Sequence, residues 1–398
     1  MSTTPIQDPS RREGAPPPPR RRGLPFDPVL LLAVLGLCVA SLVTMRAATP
    51  SDGALAPNYY VTRQGVYFAV GIVLAAALSR IDYSRLRELK YGLYAVMIGG
   101  ILLVMAFGAV ARGSRRAIAL PFFSFQASEL GKLLLVLALS AFMVDRIRHL
   151  HDRDTTVRLV LAALVPAALV MAQPDLGSAL VYVVVMLAVL FVAGTSWRHF
   201  AGLFALGAAA IVLVLAVAPV VGVTVLHQYQ KDRLTAFLHP NDNPASVGYQ
   251  QDQSKIAIGA GQKTGRGKQA TQTKLRYLPE SHTDFAFAAL GERYGFVGAA
   301  LVLSLYALLI WRSLRILTLA KNLFGALVAG GIIAMLMFQV FVNVGMNLGI
   351  APITGVPLPL LSYGGSSVIT TLLAIGLLQS IHLQGRAAAA SKGRVLTY

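Results

Sequence analysis

Apolar runs of about 20 residues recur along the chain, and short polar linkers separate them. A run of that length crosses a hydrocarbon core of about 30 Å as an α-helix. Strands of a membrane barrel alternate apolar and polar positions over about ten residues, and these runs do not alternate. The pattern therefore predicts an all-α integral membrane protein, a polytopic bundle of ten transmembrane helices. The predicted spans lie near residues 28–46, 64–80, 90–111, 127–145, 157–173, 176–195, 199–226, 284–310, 322–347 and 363–382.

The polar segments set the limits of the membrane domain. Residues 1–27 are rich in proline and arginine, which predicts a disordered cytoplasmic tail. Residues 28–382 form one membrane domain, and residues 383–398 form a cytoplasmic C-terminal tail. The longest polar segment, 227–283, separates the seventh and eighth spans and predicts a large extracellular loop. A loop of this length is usually functional or disordered, and we favour a function because the neighbouring outer linkers are also polar.

Composition supports the membrane assignment and argues against a nucleic-acid partner. Of 398 residues, 56% are hydrophobic and 13% are charged, whereas a soluble domain carries roughly a quarter charged residues. The net charge of +18 would suggest nucleic acid in a soluble protein, but no basic stripe is interleaved with aromatic residues. Short linkers at one face carry most of the cations, so this face and both termini are predicted to be cytoplasmic, beside anionic membrane lipids. These linkers hold Arg80, Arg85, Arg87, Lys90, Arg146, Arg148, Arg153, Arg158, Arg198, Arg312, Arg315 and Lys321.

Ligand spacing in the sequence does not indicate a metal site. The single cysteine, Cys38, lies inside the first apolar run, so no disulfide can form within one chain. The seven histidines show no spacing typical of metal ligands. A metal ion is therefore considered only as an ion that a substrate could bind.

Asp284 is the first candidate for chemistry. It lies in the segment 279–285, where the longest polar loop meets the eighth apolar run. A carboxylate at a water–membrane boundary can be partly desolvated and still reach a polar substrate. The position suits a general base that acts on a lipid-anchored substrate. His282 could orient a substrate or a water molecule there, although a single histidine at such a boundary is more often structural.

Charged side chains within spans are further candidates, because an ion inside lipid is costly. Glu129 and Lys132 stand three residues apart near the outer end of the fourth span and can pair on one helical face. A purely structural pair that fixes helix packing is an equally good interpretation. Asp175 lies at the outer hairpin between the fifth and sixth spans, where it could serve the site or simply cap the sixth helix.

Two glycine-containing segments on the outer face could bind phosphate oxygens. Residues 259–268 combine glycines with cations, although a solvated loop explains them equally well. Residues 362–367 open the tenth span with the sequence Ser-Tyr-Gly-Gly-Ser-Ser and offer backbone N–H groups at a helix start. Ser366 belongs to this segment, for which close helix packing through small residues is the alternative.

Seven segments, taken together and in order, carry a family resemblance. They are Gly113 to Arg116, Gln126 to Lys132, Gln173 to Gly177, Gln253 to Gly259, Leu278 to Phe285, Pro357 to Pro359 and Ser362 to Ser367. The chain resembles the SEDS family (shape, elongation, division and sporulation), the membrane polymerases of bacterial peptidoglycan. Residues 265–273 and 354–359 resemble its RodA elongation branch more than its FtsW division branch. Ala117 and Ala127 depart from the family pattern, which usually has Trp and Pro there.

The resemblance implies ten helices, a large extracellular loop before the eighth span, and an essential aspartate at Asp284. It implies a polar outer cavity to which Glu129, Lys132 and Asp175 contribute. The location implied is the bacterial cytoplasmic (inner) membrane, with the active site facing the periplasm or exterior. The partners implied are lipid II, as substrate, and a class B penicillin-binding protein, which supplies the transpeptidase that this chain lacks.

The reaction expected is the polymerisation of lipid II into glycan strands during cell elongation. An acceptor sugar hydroxyl attacks the anomeric carbon of the donor and expels polyprenyl pyrophosphate in one inverting displacement. We assign Asp284 as the general base. A divalent cation such as Mg²⁺ or Mn²⁺ is one candidate for neutralising the pyrophosphate, and cationic side chains are the other. The expected substrate contacts are Arg116, Glu129, Lys132, Asp175, Gln253, Ser254, Lys255, His282 and Ser366.

Two other classes of function fit the same residues. A flippase for lipid II explains the spans, the intramembrane charges and an outer cavity without any chemistry. A non-catalytic scaffold of the cell-wall elongation machinery explains the membrane bundle and its loop. An assay with lipid-linked disaccharide separates the three, because they yield glycan, lipid scrambling alone, or neither.

Overall fold

Helices dominate the structure, which is a computed structural model. It describes residues 26–48, 58–111, 114–120, 123–214, 233, 237, 247–274, 277–278 and 280–395. The helices are α1 (Pro28–Ala48), α2 (Tyr59–Arg80), α3 (Lys90–Phe107), α4 (Ala127–Asp145), α5 (Arg153–Ala172), α6 (Leu176–Ala193), α7 (Trp197–Val212), α8 (Val247–Gly261), α9 (Thr271–Lys274), α10 (Ala286–Thr318), α11 (Leu323–Leu348) and α12 (Gly365–Val395).

Nine of the described helices are long and apolar enough to cross a membrane. They coincide with the predicted spans one to six and eight to ten, which confirms the all-α membrane fold. The predicted span 199–226 begins as α7, and residues 215–226 lie outside the described part of the chain. The predicted tail 1–27 is described only from residue 26 onwards. The last helix runs to Val395, so residues 383–395 of the predicted C-terminal tail continue α12.

A small antiparallel sheet, which the span prediction did not include, lies between α3 and α4. Its strands are β1 (Ala109–Ala111), β2 (Ser114–Ala119) and β3 (Ser124–Phe125), in the order β1-β2-β3. Ala109 pairs with Ala117, and Ile118 pairs with Phe125. The predicted third span extended to residue 111, but α3 ends at Phe107, where the backbone of Gly108 turns extended. The sheet closes one end of the bundle beside the start of α4.

The central helices are α4, α11 and α12. Each long apolar helix contains a stretch of 18 residues that is apolar enough to cross a membrane. In this stretch 78% of the residues are buried in α4 and in α12, and 67% in α11, whereas only 17% are buried in α3. Small residues allow α12 to approach α2 closely. A Cβ atom on Gly376 would lie 2.7 Å from the backbone oxygen of Ala75, so only glycine fits this crossing. The outer helices expose their apolar side chains, as lipid-facing helices do.

The two ends of the bundle differ in charge. The arginine-rich end holds the ion pairs Arg87–Asp145 at 2.7 Å and Arg312–Asp27 at 2.5 Å. Asp27 is fully buried and also caps α1, since its Oδ1 accepts from the backbone N–H groups of Val29 and Leu30 at 3.1 Å. The opposite end, called the loop end below, holds the sheet, α8, α9 and the starts of α4, α6, α10 and α12. All the segments that carried the family resemblance reach this loop end.

Candidate active site

Asp284 lies in a tight turn, residues 280–285, directly before α10 at the loop end. The backbone oxygen of Glu280 accepts from the N–H groups of Thr283 at 3.2 Å and Phe285 at 3.1 Å. Phe285 is fully buried and anchors the turn, whereas Asp284 is half-buried. The carboxylate therefore stands at the rim of the bundle, as the sequence predicts.

The side chains of Arg233 and Asp284 both lie beside one glycine, Gly355. A Cβ atom on Gly355 would lie 3.6 Å from Oδ2 of Asp284 and 3.4 Å from Nη1 of Arg233. Gly355 has a φ of 73°, a conformation that glycine adopts without strain. In general, a carboxylate can accept a proton, and a guanidinium can bind phosphate oxygens in a bidentate manner.

Two buried asparagines hold the backbone of Asp284. Asn343 and Asn347 stand one turn apart on α11 and are fully buried. Their Nδ2 groups donate to the backbone oxygen of Asp284 at 3.1 and 3.2 Å. Asn343 also donates to the oxygen of Val356 at 2.8 Å, and Asn347 Oδ1 accepts from the N–H of Ala288 at 3.1 Å. The two amides thus tie the turn to α10, α11 and the segment around residue 355.

The segment that opens α12 holds the same turn from the other side. Ser362 Oγ donates to the backbone oxygen of Thr283 at 2.7 Å and accepts from the N–H of Leu358 at 2.9 Å. The N–H of Tyr363 donates to the backbone oxygen of His282 at 2.8 Å. Three successive carbonyls of the turn therefore have donors from α11 or from residues 362–363, which holds the backbone from which the Asp284 side chain projects.

His282 belongs to an aromatic cluster beside Asp284. Its ring stacks on Tyr60 with 4.4 Å between ring centroids and an interplanar angle of 26°, and Tyr363 lies edge-on at 5.9 Å. Burial raises the pKa of the Tyr363 phenol, and a hydrogen bond with Tyr67 acts in the same direction. Tyr363 therefore keeps its proton at neutral pH. These contacts give His282 a structural role in addition to the predicted substrate contact.

Glu129 and Lys132 form a buried ion pair. Lys132 Nζ donates to Glu129 Oε1 at 2.6 Å, and the two residues are 0% and 3% exposed respectively. This confirms the predicted pairing on one face of α4. A buried pair of this kind is strongly coupled, because removing one partner leaves an uncompensated charge.

Asp175 caps α6, which confirms the capping interpretation. Its Oδ1 accepts from the N–H of Ser178 at 3.1 Å. Its Oδ2 accepts from Gln126 Nε2 and from Ser128 Oγ, both at 3.2 Å, which links α6 to the start of α4. Arg116 from β2 donates to the backbone oxygens of Gln173, at 3.2 Å, and of Pro174, so the sheet is fastened to the same hairpin.

Residues 354–356 lie between the Asp284 turn and the polar cluster around Asp175. Gly355 contacts Asp284, as described above. A Cβ atom on Gly177, two residues after Asp175, would lie 2.6 Å from Val356 Cγ2 and 2.8 Å from the backbone oxygen of Thr354. The α6 N-terminus and the Asp284 turn thus lie on either side of one short segment. This places the Asp175 cluster and Asp284 in one connected region of the loop end.

Of the other residues that were predicted to contact the substrate, some lie at the surface and others are buried. Lys255 is exposed on α8 and pairs with Asp252 at 2.9 Å, and Gln253 is half-buried on the same helix. Ser254 is fully buried and donates to the backbone oxygen of Asn347 at 2.9 Å. Ser366 is largely buried, accepts from the N–H of Gln126 at 2.9 Å and donates to the oxygen of Ser124 at 2.8 Å. In this structure both serines join elements around the site.

Glu292 of α10 connects this helix to α9. This carboxylate is fully buried, and it accepts from the N–H groups of Gln272 at 2.8 Å and Thr273 at 3.0 Å. The hydroxyl of Thr273 donates to it at 2.6 Å. The first residues of α9 therefore satisfy a charge that would otherwise be costly inside a helical bundle.

Sequence reasoning missed Arg233, Asn343, Asn347 and Gly355. The asparagines carried a usable signal, since two polar amides four residues apart interrupt an apolar span on one helical face. Arg233 and Gly355 carried none, because only the fold brings them beside Asp284. Among the described residues, no three His, Cys, Asp or Glu side chains come together as a set that could hold a metal ion.

The fold and the site define a polytopic membrane protein with a carboxylate-bearing polar region at one end. A family profile described as cell cycle protein, FtsW/RodA/SpoVE, matches residues 24–387. The chain belongs to the FtsW/RodA/SpoVE family, which confirms the resemblance to the SEDS proteins.

Curated relatives match over nearly their whole length. The peptidoglycan glycosyltransferase MrdB of Escherichia coli K12 is 38% identical over 358 residues, which span 90% of this chain and 93% of that protein. The stage V sporulation protein E of Bacillus subtilis is 34% identical over 368 residues, with 90% and 98% covered. The chain is therefore similar to complete members of the family rather than to a shared fragment.

Solved structures agree with this assignment. A chain in a peptidoglycan synthase complex, described as coordinating polymerization and crosslinking, is 32% identical with a TM-score of 0.74, covering 91% of this chain and 99% of that one. The rod shape determining protein RodA of Thermus thermophilus is 30% identical with a TM-score of 0.63, covering 90% and 97%. The multi-pass membrane fold is thus shared with both.

Charge reversal tests the Glu129–Lys132 pair. We expect Glu129→Lys or Lys132→Glu alone to destabilise the protein by about 3–5 kcal/mol, because each leaves two like charges buried side by side. The double reversal should recover more stability and more activity than either single change, as measured by thermal unfolding and glycan synthesis. Equal loss in all three variants would instead favour direct substrate contacts by these residues.

A second prediction concerns Asn347 as a positioning residue. We expect Asn347→Ala to lower kcat about 10- to 100-fold with little change in KM, because the Asp284 backbone loses one of its two amide donors. Gln339→Ala is the matched control, since Gln339 is a buried amide on the same helix whose Oε1 has no hydrogen-bond partner. Steady-state kinetics of glycan synthesis measure both variants. A similar drop in kcat for both would show a general packing effect instead.

Proposed function

We propose that the chain is a peptidoglycan glycosyltransferase that polymerises lipid II into glycan strands during cell elongation, with Asp284 as the general base. The similarity to MrdB along almost the entire chain supports the activity. The observation that carries the mechanism is the position of Asp284, half-buried at the rim with its backbone held by two buried amides.

The proposed reaction is one inverting displacement at the anomeric carbon of the donor sugar. Asp284 accepts the proton of the acceptor hydroxyl as its oxygen forms the new glycosidic bond. The bond from the anomeric carbon to polyprenyl pyrophosphate breaks at the same time, and the leaving group departs with the electron pair. General-base action of this kind contributes about 10²–10⁴-fold to a rate, and the fixed turn removes the need to reorient the carboxylate.

Arg233 is the best-placed cation for the leaving group. It reaches the same glycine as Asp284, and its guanidinium can bind two phosphate oxygens at once. Lys132 is fully buried and already paired with Glu129, and Lys255 is exposed and paired with Asp252. We therefore rank Arg233 first, then Lys255, with a Mg²⁺ or Mn²⁺ ion bound to the pyrophosphate as a further source of positive charge.

The other predicted site residues shape the cavity in this proposal. Glu129, Lys132 and Asp175 hold the starts of α4 and α6 in place, and Arg116 fastens the sheet above them. The surface residues Lys255 and Gln253 of α8, together with His282, are left to contact the sugar or phosphate groups of the substrate.

The orientation of the chain follows from its charge asymmetry. We propose that the arginine-rich end faces the cytoplasm of a bacterial inner membrane, with both termini on that side. The loop end, with Asp284 and α8, then faces the periplasm. This arrangement lets the polyprenyl tail remain in lipid while the disaccharide reaches Asp284 from outside.

The proposed partner is a class B penicillin-binding protein. The chain similar to this one in the solved peptidoglycan synthase complex belongs to an assembly that couples polymerization to crosslinking. A partner of that kind would crosslink the strands that this chain makes.

Replacing Asp284 tests the proposal directly. We expect Asp284→Asn, which keeps the shape but removes the base, to lower the rate of glycan synthesis from lipid II by about 10²–10⁴-fold. Asp154→Asn is the control, because Asp154 is an exposed carboxylate at the opposite end of the bundle. The assay uses the full-length protein with its transpeptidase partner. A folded Asp284→Asn protein with the wild-type rate would rule out the mechanism, and lipid scrambling without glycan would favour a flippase.

A comparison of two cations tests the role of Arg233. We expect Arg233→Gln to lower kcat about 100-fold, because a preorganised cation near the developing pyrophosphate charge is lost. Lys255→Gln should cost less than about tenfold, since its ammonium group is exposed and screened by solvent. Single-turnover rates with and without added Mg²⁺ measure both. A larger loss for Lys255→Gln would transfer the role to Lys255.

A further inference from the structure

A cleft of about 820 Å³ opens at the arginine-rich end between the first turns of α5 and α7. The polar part of its wall includes the basic side chains of His151, Arg153, Arg198 and His199, with Trp197 beside them. Thr156 and Ser196 complete it, and Thr156 Oγ1 shares a hydrogen bond of 2.8 Å with His199 Nδ1. The cleft is distant from the proposed catalytic residues, because it lies at the opposite end of the bundle. Neither the proposed reaction nor the transpeptidase partner gives it a role.

The charges around the cleft favour an anion. No acidic residue lines it, and neither Arg153 nor Arg198 has an ion-pair partner within the described chain. The acids that flank Arg153 are engaged elsewhere, since Asp152 pairs with His149 at 3.0 Å and Asp154 pairs with Arg158 at 2.9 Å. Both α5 and α7 also begin here without a side-chain cap, so their N-terminal dipoles add positive potential.

The remaining wall of the cleft is apolar. Val157 of α5 and Leu203 and Leu206 of α7 line it towards the middle of the bundle. Phe200 is the one buried residue of α7 within Trp197–Val212, so most of this helix faces outwards. Trp197 is 74% exposed next to the cationic part, where aromatic residues mark the boundary of a membrane. A ligand for this cleft needs a negative head and a long apolar body.

We propose that the cleft binds an anionic phospholipid, with its phosphate between Arg153 and Arg198 and its acyl chains along α5 and α7. Basic pockets between transmembrane helices on the cytoplasmic side bind such headgroups in general. A soluble phosphate would leave the apolar wall unused, and an acidic peptide would have to displace lipid from it. The bound lipid fills the gap beside α7 and stabilises the packing of that helix on the bundle.

Removal of the two arginines provides the first test. Detergent-purified full-length protein is titrated with phosphatidylglycerol or phosphatidylcholine of the same acyl chains, and bound lipid is counted by native mass spectrometry. We expect wild type to prefer phosphatidylglycerol. Arg153→Gln with Arg198→Gln should weaken its binding about 30-fold, at about fivefold per arginine. The control pair Arg85→Gln with Arg315→Gln removes the same charge from exposed residues of the same end and should retain binding.

A steric pair of variants tests the position without changing any charge. Gly202 lines the cleft, and no atom lies within 4 Å of a Cβ built there, so Gly202→Trp fits and fills the cleft. Gly207 is equally open on the same helix but does not line the cleft, so Gly207→Trp is the matched control. We expect Gly202→Trp alone to lose phosphatidylglycerol binding and the thermal stabilisation that this lipid confers.

Three results would overturn the proposal. The first is equal binding of the two lipids by wild type. The second is equal loss in the cleft variants and their controls, which would indicate a diffuse charge effect for the arginine variants or a general packing effect for the tryptophan variants. The third is competition by glycerol 1-phosphate as strong as that by phosphatidylglycerol, which would indicate a soluble phosphate ligand. Binding is measured separately from glycan synthesis, so these outcomes do not depend on the role of Asp284.

Discussion

Hydrogen bonding of one irregular turn is the constraint on which the candidate site depends. A turn at the edge of a membrane bundle carries carbonyls that no helix satisfies, and lipid offers no donor in place of water. The carbonyls of His282, Thr283 and Asp284 instead accept from Tyr363, Ser362 and the asparagines of α11. Each of these donors comes from the central helix α11 or from the segment that opens α12. The backbone of the turn is therefore bonded to the centre of the bundle, and this backbone carries the carboxylate of Asp284.

The same physical rule explains the other buried charges of the loop end. Glu129 has Lys132, Asp175 has a helix N-terminus and two side-chain donors, and Glu292 has the backbone of α9. Asp175 and Glu292 each accept two or more bonds that connect two helices, whereas Glu129 pairs with Lys132 on the same helix. Asp284 differs, because its backbone oxygen, rather than its carboxylate, accepts the asparagine bonds. The carboxylate of Asp284 lies beside Gly355, as the guanidinium of Arg233 does, at the half-buried rim of the bundle.

The opposite end of the bundle has a different chemistry. Its cations lie in short linkers, and several of them close ion pairs such as Arg312 with the buried Asp27. Arg153 and Arg198 stay outside these pairs and face a cleft with an apolar wall. The end opposite the candidate active site thus has a cationic cleft with an apolar wall, a surface suited to anionic lipid. The two ends of the bundle therefore differ in charge as well as in the ligands that we propose for them.

The sequence by itself determined the features that depend on neighbouring residues. The length of the apolar runs predicted the spans. The three-residue spacing predicted the Glu129–Lys132 pair, and the acid before a helix predicted the Asp175 cap. Each of these features involves only one helix or one helix end. The position of Asp284 at a polarity boundary was equally local. Only the tertiary structure brought Arg233 beside Asp284 and placed Asn347, 63 residues further along the chain, against its carbonyl. Helical periodicity records which residues share a face, whereas packing decides which faces meet.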